Sequence, residues 1–333
     1  MKKNSLKTGV IGLGIGNLHA KIMSKHPKSK LIYVCDKKKN LSFLAKKLGC
    51  KFSTNANNLI EDKSIDLVSI ASYDNYHFQH AIKCIAKNKH IFIEKPFCQN
   101  FSQYKKIKKL LNRSKLYFST NFVLRNHPKF KKIKEIIERK RIGEIYHIEG
   151  DYNYGRIQKL LNGWRGKIPF YSVTQGGGIH VIDLMIWLTK SLPKDVFALG
   201  NRISTLNTKF KYMDNVTGLI NFENGVTGKV SSNFGAVMPH DHQMRIFGTK
   251  GSVSLSHNEI SLFTSRSPSK KKIKIKFKKD NFYKVKILDN FINSITAKKK
   301  FNLISKHEVF ASMATCLTID KSLKSKKREK VKI

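Results

Sequence analysis

The stretch Ile91-Phe92-Ile93-Glu94-Lys95-Pro96-Phe97 is a short apolar run that ends in a carboxylate, an amine and a proline. An apolar run bounded by polar residues predicts a buried strand, here over Ile91 to Ile93. In an open α/β sheet, ligands bind beyond the carboxyl ends of the strands. We therefore expect Glu94 and Lys95 to lie at a binding site.

Toward the N terminus, a glycine-rich stretch follows another predicted strand. Thr8 to Ile11 leads into Gly12-Leu13-Gly14-Ile15-Gly16, and the later strand Leu31 to Cys35 ends in Asp36. Glycines let backbone N–H groups approach a pyrophosphate at a helix N-terminus, and a carboxylate about 20 residues further on binds the ribose hydroxyls. This stretch predicts dinucleotide binding, although Asn17 stands where GxGxxG has its last glycine, so the turn is one residue tighter.

The residue after the second strand bears on the choice of cofactor. Asp36 favours NAD, because its negative charge would meet the 2′-phosphate of NADP. Lys37 and Lys38 directly after it would soften that repulsion, so NADP stays an alternative.

The alternation of segments predicts an α/β chain of two domains. Strands and helices alternate over residues 1–120, which predicts a Rossmann-type, doubly wound parallel sheet in a dinucleotide-binding domain. Over residues 121–333, strand-like segments separated by turns such as Asn224-Gly225 predict an α+β domain with a large, mostly antiparallel sheet, which we assign to substrate binding and oligomerisation. Helices over Val285 to Ile295 and His307 to Ser322 close the chain, and the basic tail Lys324 to Lys332 is expected to fray.

The formal charge of +43 raises the question of a nucleic-acid partner. In Lys272 to Lys278, however, lysines alternate with Ile273, Ile275 and Phe277, which predicts a half-buried strand with a solvated lysine face. No nucleic-acid-binding module accompanies the charge, so we expect no nucleic-acid partner. The positive field would instead favour an acidic or phosphorylated small substrate.

Cysteine and apolar patterns indicate the compartment. The five cysteines are scattered without a CxxC pair, which argues against a disulfide framework or a metal site and fits a reducing cytoplasm. No run of about 18 apolar residues is present, so we expect no membrane association.

Taken in order along almost the whole chain, these motifs resemble the Gfo/Idh/MocA family of NAD(P)-dependent oxidoreductases. The residues that carry the resemblance are Gly12-x-Gly14, His19, Asp36, Ser72 to His77, Glu94-Lys95-Pro96, Asn121 to Pro128, Ile142 to Ile145, Trp164-Arg165, Gly176 to Asp183, Phe222 to Gly225 and Phe247 to Ser252.

The resemblance implies roles for particular residues. It makes Lys95 the active-site lysine, with a cis Lys95–Pro96 bond, and His180 its partner, while Asp183 follows one turn later as a further catalytic candidate. It also implies a homo-oligomer, a dimer or a tetramer. The expected substrate contacts are Lys95, Arg125, Trp164, Arg165 and His180, and the expected cofactor contacts are Gly12, Gly14, Ile15, Gly16, Asp36, Lys37, Ser72, His77, Glu94, Lys95 and Asn121.

Elementary chemistry agrees with the first two roles. Oxidation of an alcohol by hydride transfer requires an acid/base group within hydrogen-bond reach of the hydroxyl. Burial and a cationic nicotinamide would both lower the pKa of a lysine such as Lys95, and histidine titrates near neutrality. The alternative interpretation is that His180 and Asp183 only cap the apolar helix that follows, and that His77 is likewise a structural residue.

One departure from the family pattern concerns the position four residues before His180. Many members have an aspartate there, whereas this chain has Gly176. Three alternatives are open: Lys95 and His180 suffice, another group such as Gln175, Asp183 or Tyr171 takes the place, or catalysis is weakened. We therefore expect a dehydrogenase or reductase acting on a sugar, cyclitol or nucleotide-sugar, with a non-catalytic nucleotide- and sugar-binding regulatory protein as the alternative.

Overall fold

The computed structural model describes residues 5–278 and 280–333. The chain divides into two compact units, Met1–Phe122 with Phe282–Val309, and Val123–Asn281 with Phe310–Ile333. Residues 282–309, which the sequence-based division assigned to the second domain, fall in the first unit. Within the described residues the strands form two sheets, one of six strands and one of nine.

The first unit is built on the smaller sheet, in which every strand pairs in parallel with its neighbours and the order is β3-β2-β1-β4-β5-β6. Helices alternate with these strands, as the sequence predicts. The elements are β1 (Leu6–Ile11), α1 (Gly16–Lys25), β2 (Ser29–Cys35), α2 (Ser42–Leu48), β3 (Lys51–Ser53), α3 (Ala56–Glu61), β4 (Leu67–Ile70), α4 (Asp74–Ala86), β5 (His90–Ile93), α5 (Phe101–Asn112) and β6 (Phe118–Thr120).

Because all strands run in one direction, their carboxyl ends lie along one edge of the sheet. The glycine turn follows β1, Asp36 follows β2, Ser72 comes shortly after β4, and Glu94 follows β5. The sheet therefore gathers residues up to 82 positions apart in sequence, from Gly12 to Glu94, along a single edge. The prediction of a doubly wound parallel sheet is confirmed.

The second unit is built on the larger sheet, in the order β14-β13-β12-β11-β7-β10-β9-β8-β15. All its pairings are antiparallel except that between β7 and β10. The elements are α6 (Pro128–Glu138), β7 (Ile145–Asn153), α7 (Gln158–Leu161), α8 (Ile179–Thr189), β8 (Pro193–Asn201), β9 (Asn215–Phe222), β10 (Thr227–Asn233), β11 (Asp241–Gly248), β12 (Gly251–Ser256), β13 (Glu259–Phe263), β14 (Ile273–Ile275), α9 (Lys286–Thr296, in the first unit), α10 (Lys306–Ser325, in the second unit from Phe310 onward) and β15 (Glu329–Lys330).

Alternation along the strands gives the larger sheet a buried face. Ile148, Val230 and Ile246 point to this face, and α8 packs across it. A Cβ atom on Gly150 would clash with the Val181 side chain, so glycine at this position lets α8 lie directly on β7. The prediction of a large, mostly antiparallel sheet is confirmed.

The prediction that the basic tail frays is wrong. Glu329 and Lys330 form the edge strand β15 against β8. The Arg328 guanidinium donates from Nε and Nη2 to the two carboxylate oxygens of Asp195, at 2.6 and 2.7 Å. A bidentate pair and backbone pairing together order a segment whose lysine content suggested a solvated end.

Among the described residues, no helix combines the length and the apolar character needed to cross a bilayer. In the same part of the chain, no three histidine, cysteine or acidic side chains are grouped so that they could hold a metal ion.

Candidate active site

The turn after β1 has the features of a phosphate-binding turn. Gly12 has a φ of +89°, and a Cβ there would press on the Ala71 carbonyl oxygen, whereas a Cβ on Gly14 would meet open space. Helix α1 begins at Gly16. The residue at its N-cap position, Ile15, offers no side-chain hydrogen bond, and the first turn contains no acidic residue. Its N-terminal N–H groups are therefore suited to an anion, and the turn fits the pyrophosphate of a dinucleotide.

Asp36 is fixed at the edge of the sheet by two backbone bonds. Its carboxylate accepts from the Leu13 N–H at 2.7 Å and from the Lys38 N–H at 2.9 Å. The Lys37 ammonium donates to the Tyr76 hydroxyl at 2.7 Å, and this contact lowers the pKa of the Tyr76 phenol. The two carboxylate oxygens keep further acceptor capacity, so Asp36 can also bind ribose hydroxyls.

Buried His77 links the ends of two strands. Its Nδ1 lies 2.7 Å from the Pro96 carbonyl oxygen and its Nε2 lies 2.8 Å from that of Ser72. The ring therefore ties the segment after β4 to the segment after β5. Contact of Ser72 or His77 with the cofactor stays a prediction.

Glu94 lies in a buried polar cluster with His19 and Asn121. The Asn121 amide donates to Glu94 Oε1 at 2.7 Å, and His19 Nε2 lies 3.3 Å from the same oxygen. Burial alone would raise the pKa of Glu94, but these two contacts and the charge of Lys95 outweigh it and hold the pKa below its ordinary value. The carboxylate is thus stabilised as an anion next to Lys95.

Lys95 is the residue next to Glu94 in the chain and is half-buried. The Lys95–Pro96 bond is cis, as the resemblance implied. Sequence reasoning named His19 as part of the resemblance but gave it no role. Its Nδ1 also lies 2.8 Å from Ser69 Oγ on β4, so the ring joins α1, β4 and the Glu94 segment. The sequence signal that could have indicated this role was the presence of a histidine within the first helix after the glycine turn.

In the second unit, His180 is the second residue of α8, and this helix directly follows a π-helical turn over Thr174–Gly178. A Cβ on Gly177 would clash with the Tyr152 ring, and one on Gly178 with the Ser232 hydroxyl. The two glycines therefore let this turn lie against β7 and β10. The Tyr152 ring is nearly parallel to the His180 ring, with 6.4 Å between centroids.

Asp183, one turn after His180, forms a buried ion pair with Arg125. Arg125 Nη2 donates to Asp183 Oδ1 at 2.7 Å and Nε to Oδ2 at 3.0 Å, and both side chains are 1% exposed. This pair fixes α8 to the single turn Val123–Asn126. A catalytic role for Asp183 and a substrate contact by Arg125 stay predictions, but both charges are engaged with each other.

The turn before His180 is anchored to α10 by a residue that the sequence analysis missed. Asp320 accepts from Ser172 Oγ at 2.8 Å and from Gln175 Nε2 at 2.7 Å. Burial, only partly offset by these bonds and by Lys324, raises the pKa of Asp320 to about 6. The only signal for this role in the sequence was one carboxylate, Asp320, directly after the mostly apolar segment Cys316 to Ile319.

Trp164 and Arg165 lie together on the single turn Trp164–Gly166. The Arg165 guanidinium lies 4.6 Å from the centre of the Trp164 ring, which in turn packs edge-on against Tyr171. Their predicted contact with substrate stays a prediction.

Two family models match the chain. Residues 6–122 match a model described as "Oxidoreductase family, NAD-binding Rossmann fold", and residues 130–254 match the "GFO/IDH/MocA C-terminal domain".

Individual relatives point in the same direction. The chain is 26% identical to myo-inositol 2-dehydrogenase of Thermotoga maritima over 74% of each chain. It is 26% identical to scyllo-inositol 2-dehydrogenase (NAD(+)) of Bacillus subtilis over 80% of this chain and 79% of that protein. The fold matches the crystal structure of scyllo-inositol dehydrogenase from Lactobacillus casei with bound NAD(H) and scyllo-inositol, with a TM-score of 0.80, 20% identity and coverage of 98% and 99% of the two chains.

The Arg125–Asp183 pair gives a stability prediction. Arg125→Met leaves the Asp183 carboxylate buried without its cation, so we expect the free energy of unfolding to fall by about 3 to 5 kcal/mol. The matched control is Arg139→Met, which breaks a solvent-accessible pair with Glu135 on α6 and should cost less than about 1 kcal/mol. Urea denaturation of both variants measures the difference. Equal, small losses would show that Arg125 does not neutralise a buried charge and would leave it available as a substrate anchor.

Asp320 predicts a dependence of stability on pH. Its pKa is about 6 in the folded chain against an ordinary value of 3.8, so the folded state binds more protons between these values and stability falls as the pH rises through that window. The loss is at most about 3 kcal/mol. Urea denaturation between pH 4 and 7 should show that Asp320→Asn removes this component, whereas the exposed Glu144→Gln keeps it. An unchanged slope in Asp320→Asn would contradict the assignment.

Proposed function

Because this chain belongs to the Gfo/Idh/MocA family of oxidoreductases and has its NAD-binding Rossmann domain, we propose that it transfers a hydride between NAD and a CH–OH carbon of a cyclitol or sugar. The observation that carries the substrate class is that relatives matching about three quarters of the chain are inositol dehydrogenases. The fixed Asp36 carboxylate supports NAD as the cofactor, because it would repel a 2′-phosphate.

We assign the acid/base work to Lys95 and His180. The bound nicotinamide supplies the hydride acceptor or donor, and the chain must take the hydroxyl proton in one direction and return it in the other. Lys95 follows Glu94, whose carboxylate is held by hydrogen bonding to Asn121 and by its contact with His19. The imidazole of His180 changes charge near neutral pH in an unperturbed setting, which suits it to receive the proton.

The residues around Lys95 explain how its position would be kept. His19 and Asn121 hold Glu94 from two other segments, and His77 bonds the Pro96 carbonyl. The backbone on both sides of Lys95 is therefore tied to neighbouring elements of the first unit. Such preorganisation lowers the cost of aligning the amine with a reacting hydroxyl.

A substrate panel tests the proposed function. The purified protein is first weighed by native mass spectrometry to detect co-purified NAD or NADP, and then assayed with both cofactors. The panel comprises myo-inositol, scyllo-inositol, glucose, glucose 6-phosphate and UDP-glucose, so that it covers cyclitols, neutral and phosphorylated sugars, and a nucleotide-sugar. We expect NAD-dependent turnover of at least one polyol. Cofactor and polyol binding without turnover of any member would favour the regulatory alternative, for which the glycine at position 176 is the specific argument.

The lysine assignment has its own prediction. We expect Lys95→Met to lower kcat on the active polyol by a factor of at least about 100, because an acid/base group is lost, while NAD binding persists. Lys106→Met, at an exposed position of α5, is the matched control and should keep full activity. Steady-state kinetics and cofactor titration by fluorescence measure the two effects. Undiminished kcat in Lys95→Met would overturn the assignment.

We further propose a homo-oligomer formed through the outer face of the larger sheet. This face carries interleaved opposite charges, with Arg245 paired to Glu149 at 2.5 Å and Lys229 to Asp151 at 3.2 Å, so a second copy can present complementary charges. Exposed Leu219 adds apolar surface. Light scattering should give the mass of a dimer or tetramer, and Leu219→Arg should shift it toward a single chain. A monomeric wild-type protein would contradict the proposal.

A further inference from the structure

Three groups close to His180 in sequence could serve as its hydrogen-bond partner in place of a residue at position 176: Gln175, Asp183 and Tyr171. The Gln175 amide donates to Asp320 on α10. Both carboxylate oxygens of Asp183 accept from Arg125. The contacts of Gln175 and Asp183 hold the turn and the helix in place, whereas the position of Tyr171 relates it directly to residue 176.

Tyr171 takes the space that a side chain at position 176 would occupy. A Cβ built on Gly176 would clash with the Tyr171 hydroxyl oxygen and would lie 2.6 Å from the ring carbon that carries it. The Tyr171 ring is buried, 2% exposed, and packs edge-on against Trp164, Phe210 and Phe234 with centroid separations of 6.1 to 6.4 Å. These contacts hold the phenol at that point.

His180 and Tyr171 border the same group of aromatic rings. His180 comes two residues after the π-helical turn that contains Gly176, and its ring lies nearly parallel to that of Tyr152 at 6.4 Å between centroids. Tyr152 stacks on Phe234 at 5.5 Å, and Phe234 packs against Tyr171 at 6.1 Å. A phenol oxygen can accept a hydrogen bond from a ring N–H without changing its own charge.

We propose that Tyr171 is the positioning residue of His180, an inference that rests on the proposed function. Its phenol oxygen accepts a hydrogen bond from one ring N–H of His180 through one bridging water, which leaves the other ring nitrogen to act on the substrate. In the oxidation, the substrate O–H bond breaks and its proton bonds to that nitrogen. The carbon gives up a hydride to the nicotinamide, and the imidazolium is stabilised by Tyr171, which keeps its own proton.

The proposal is tested first without catalysis. Histidines labelled with ¹³C are followed by NMR during a pH titration, and the His180 signal is assigned by its loss in His180→Asn. Tyr171→Phe removes one oxygen atom, and we expect the titration midpoint of His180 to fall by roughly half a unit to one unit, because the imidazolium loses an acceptor. Tyr154→Phe, which removes another buried phenol from the same aromatic cluster, is the matched control and should leave the midpoint unchanged.

A reciprocal exchange gives a second arm. Tyr171→Ala combined with Gly176→Asp makes room for a carboxylate at position 176, and we expect the midpoint of His180 to rise above that of the wild type, because an anion favours the imidazolium. Two other titratable groups are placed near His180: Tyr152, whose ring lies nearly parallel to the imidazole, and Asp183, one turn later and paired with Arg125. Tyr171→Phe and the double variant leave both of these side chains unchanged. Thermal unfolding of every variant shows whether the fold is kept. If Tyr171→Phe fails to fold, Gly176→Ala takes its place in the test. The added Cβ displaces the Tyr171 hydroxyl, so we expect the same fall in the titration midpoint of His180.

Kinetics on the polyol found in the panel completes the test. We expect Tyr171→Phe to lower kcat by roughly 10- to 100-fold with little change in KM, and to move the pH profile of kcat by the shift seen in NMR. An unchanged midpoint of His180 in a folded Tyr171→Phe variant would overturn the proposal. Failure of the proposed function would appear separately, as a wild-type protein that turns over no member of the panel whatever the NMR titration shows.

Discussion

A buried carboxylate must accept hydrogen bonds or pair with a cation, and this requirement fixes the contacts between distant segments within each unit. The chain has 22 acidic residues against 65 basic ones, so cationic donors are plentiful. Glu94, Asp183 and Asp320 each lie where two segments distant in sequence meet, and each accepts hydrogen bonds from the segment it meets. Their positions decide where the neighbouring functional side chains can be.

In the second unit this constraint acts on both sides of His180. The turn before the histidine is anchored to α10 through Asp320, and the helix after it is anchored through Asp183 to Arg125. Gly150, Gly177 and Gly178 allow the same segment to approach the sheet more closely than any side chain would permit. The imidazole is thus carried on backbone that is fixed from three directions, which would preorganise it for the proton transfer proposed above.

Much of the fold could be predicted because its signals are local. Apolar runs bounded by polar or turn residues predicted strands over Thr8 to Ile11, Leu31 to Cys35 and Ile91 to Ile93, and each lies within a strand of the structure that ends at the same residue. The glycine turn and Asp36 predicted one end of the parallel sheet, since strand direction alone brings carboxyl ends to one edge. Local patterns were less informative where long-range pairing decides the outcome, as in β15, whose order comes from Asp195, 133 residues away from Arg328.

The sequence by itself determined the Rossmann-type sheet, the nature of the second domain, and which residue types have the chemistry for dinucleotide binding and proton transfer, because each of these depends on residues near one another in the chain. The tertiary structure alone decided how those residues are used. It paired Arg125 with Asp183, placed Asp320 under the turn before His180, and set the Tyr171 phenol in the space beside Gly176. Such contacts join residues up to 148 positions apart, and a single sequence contains periodicity but no record of which distant side chains meet once the core has closed.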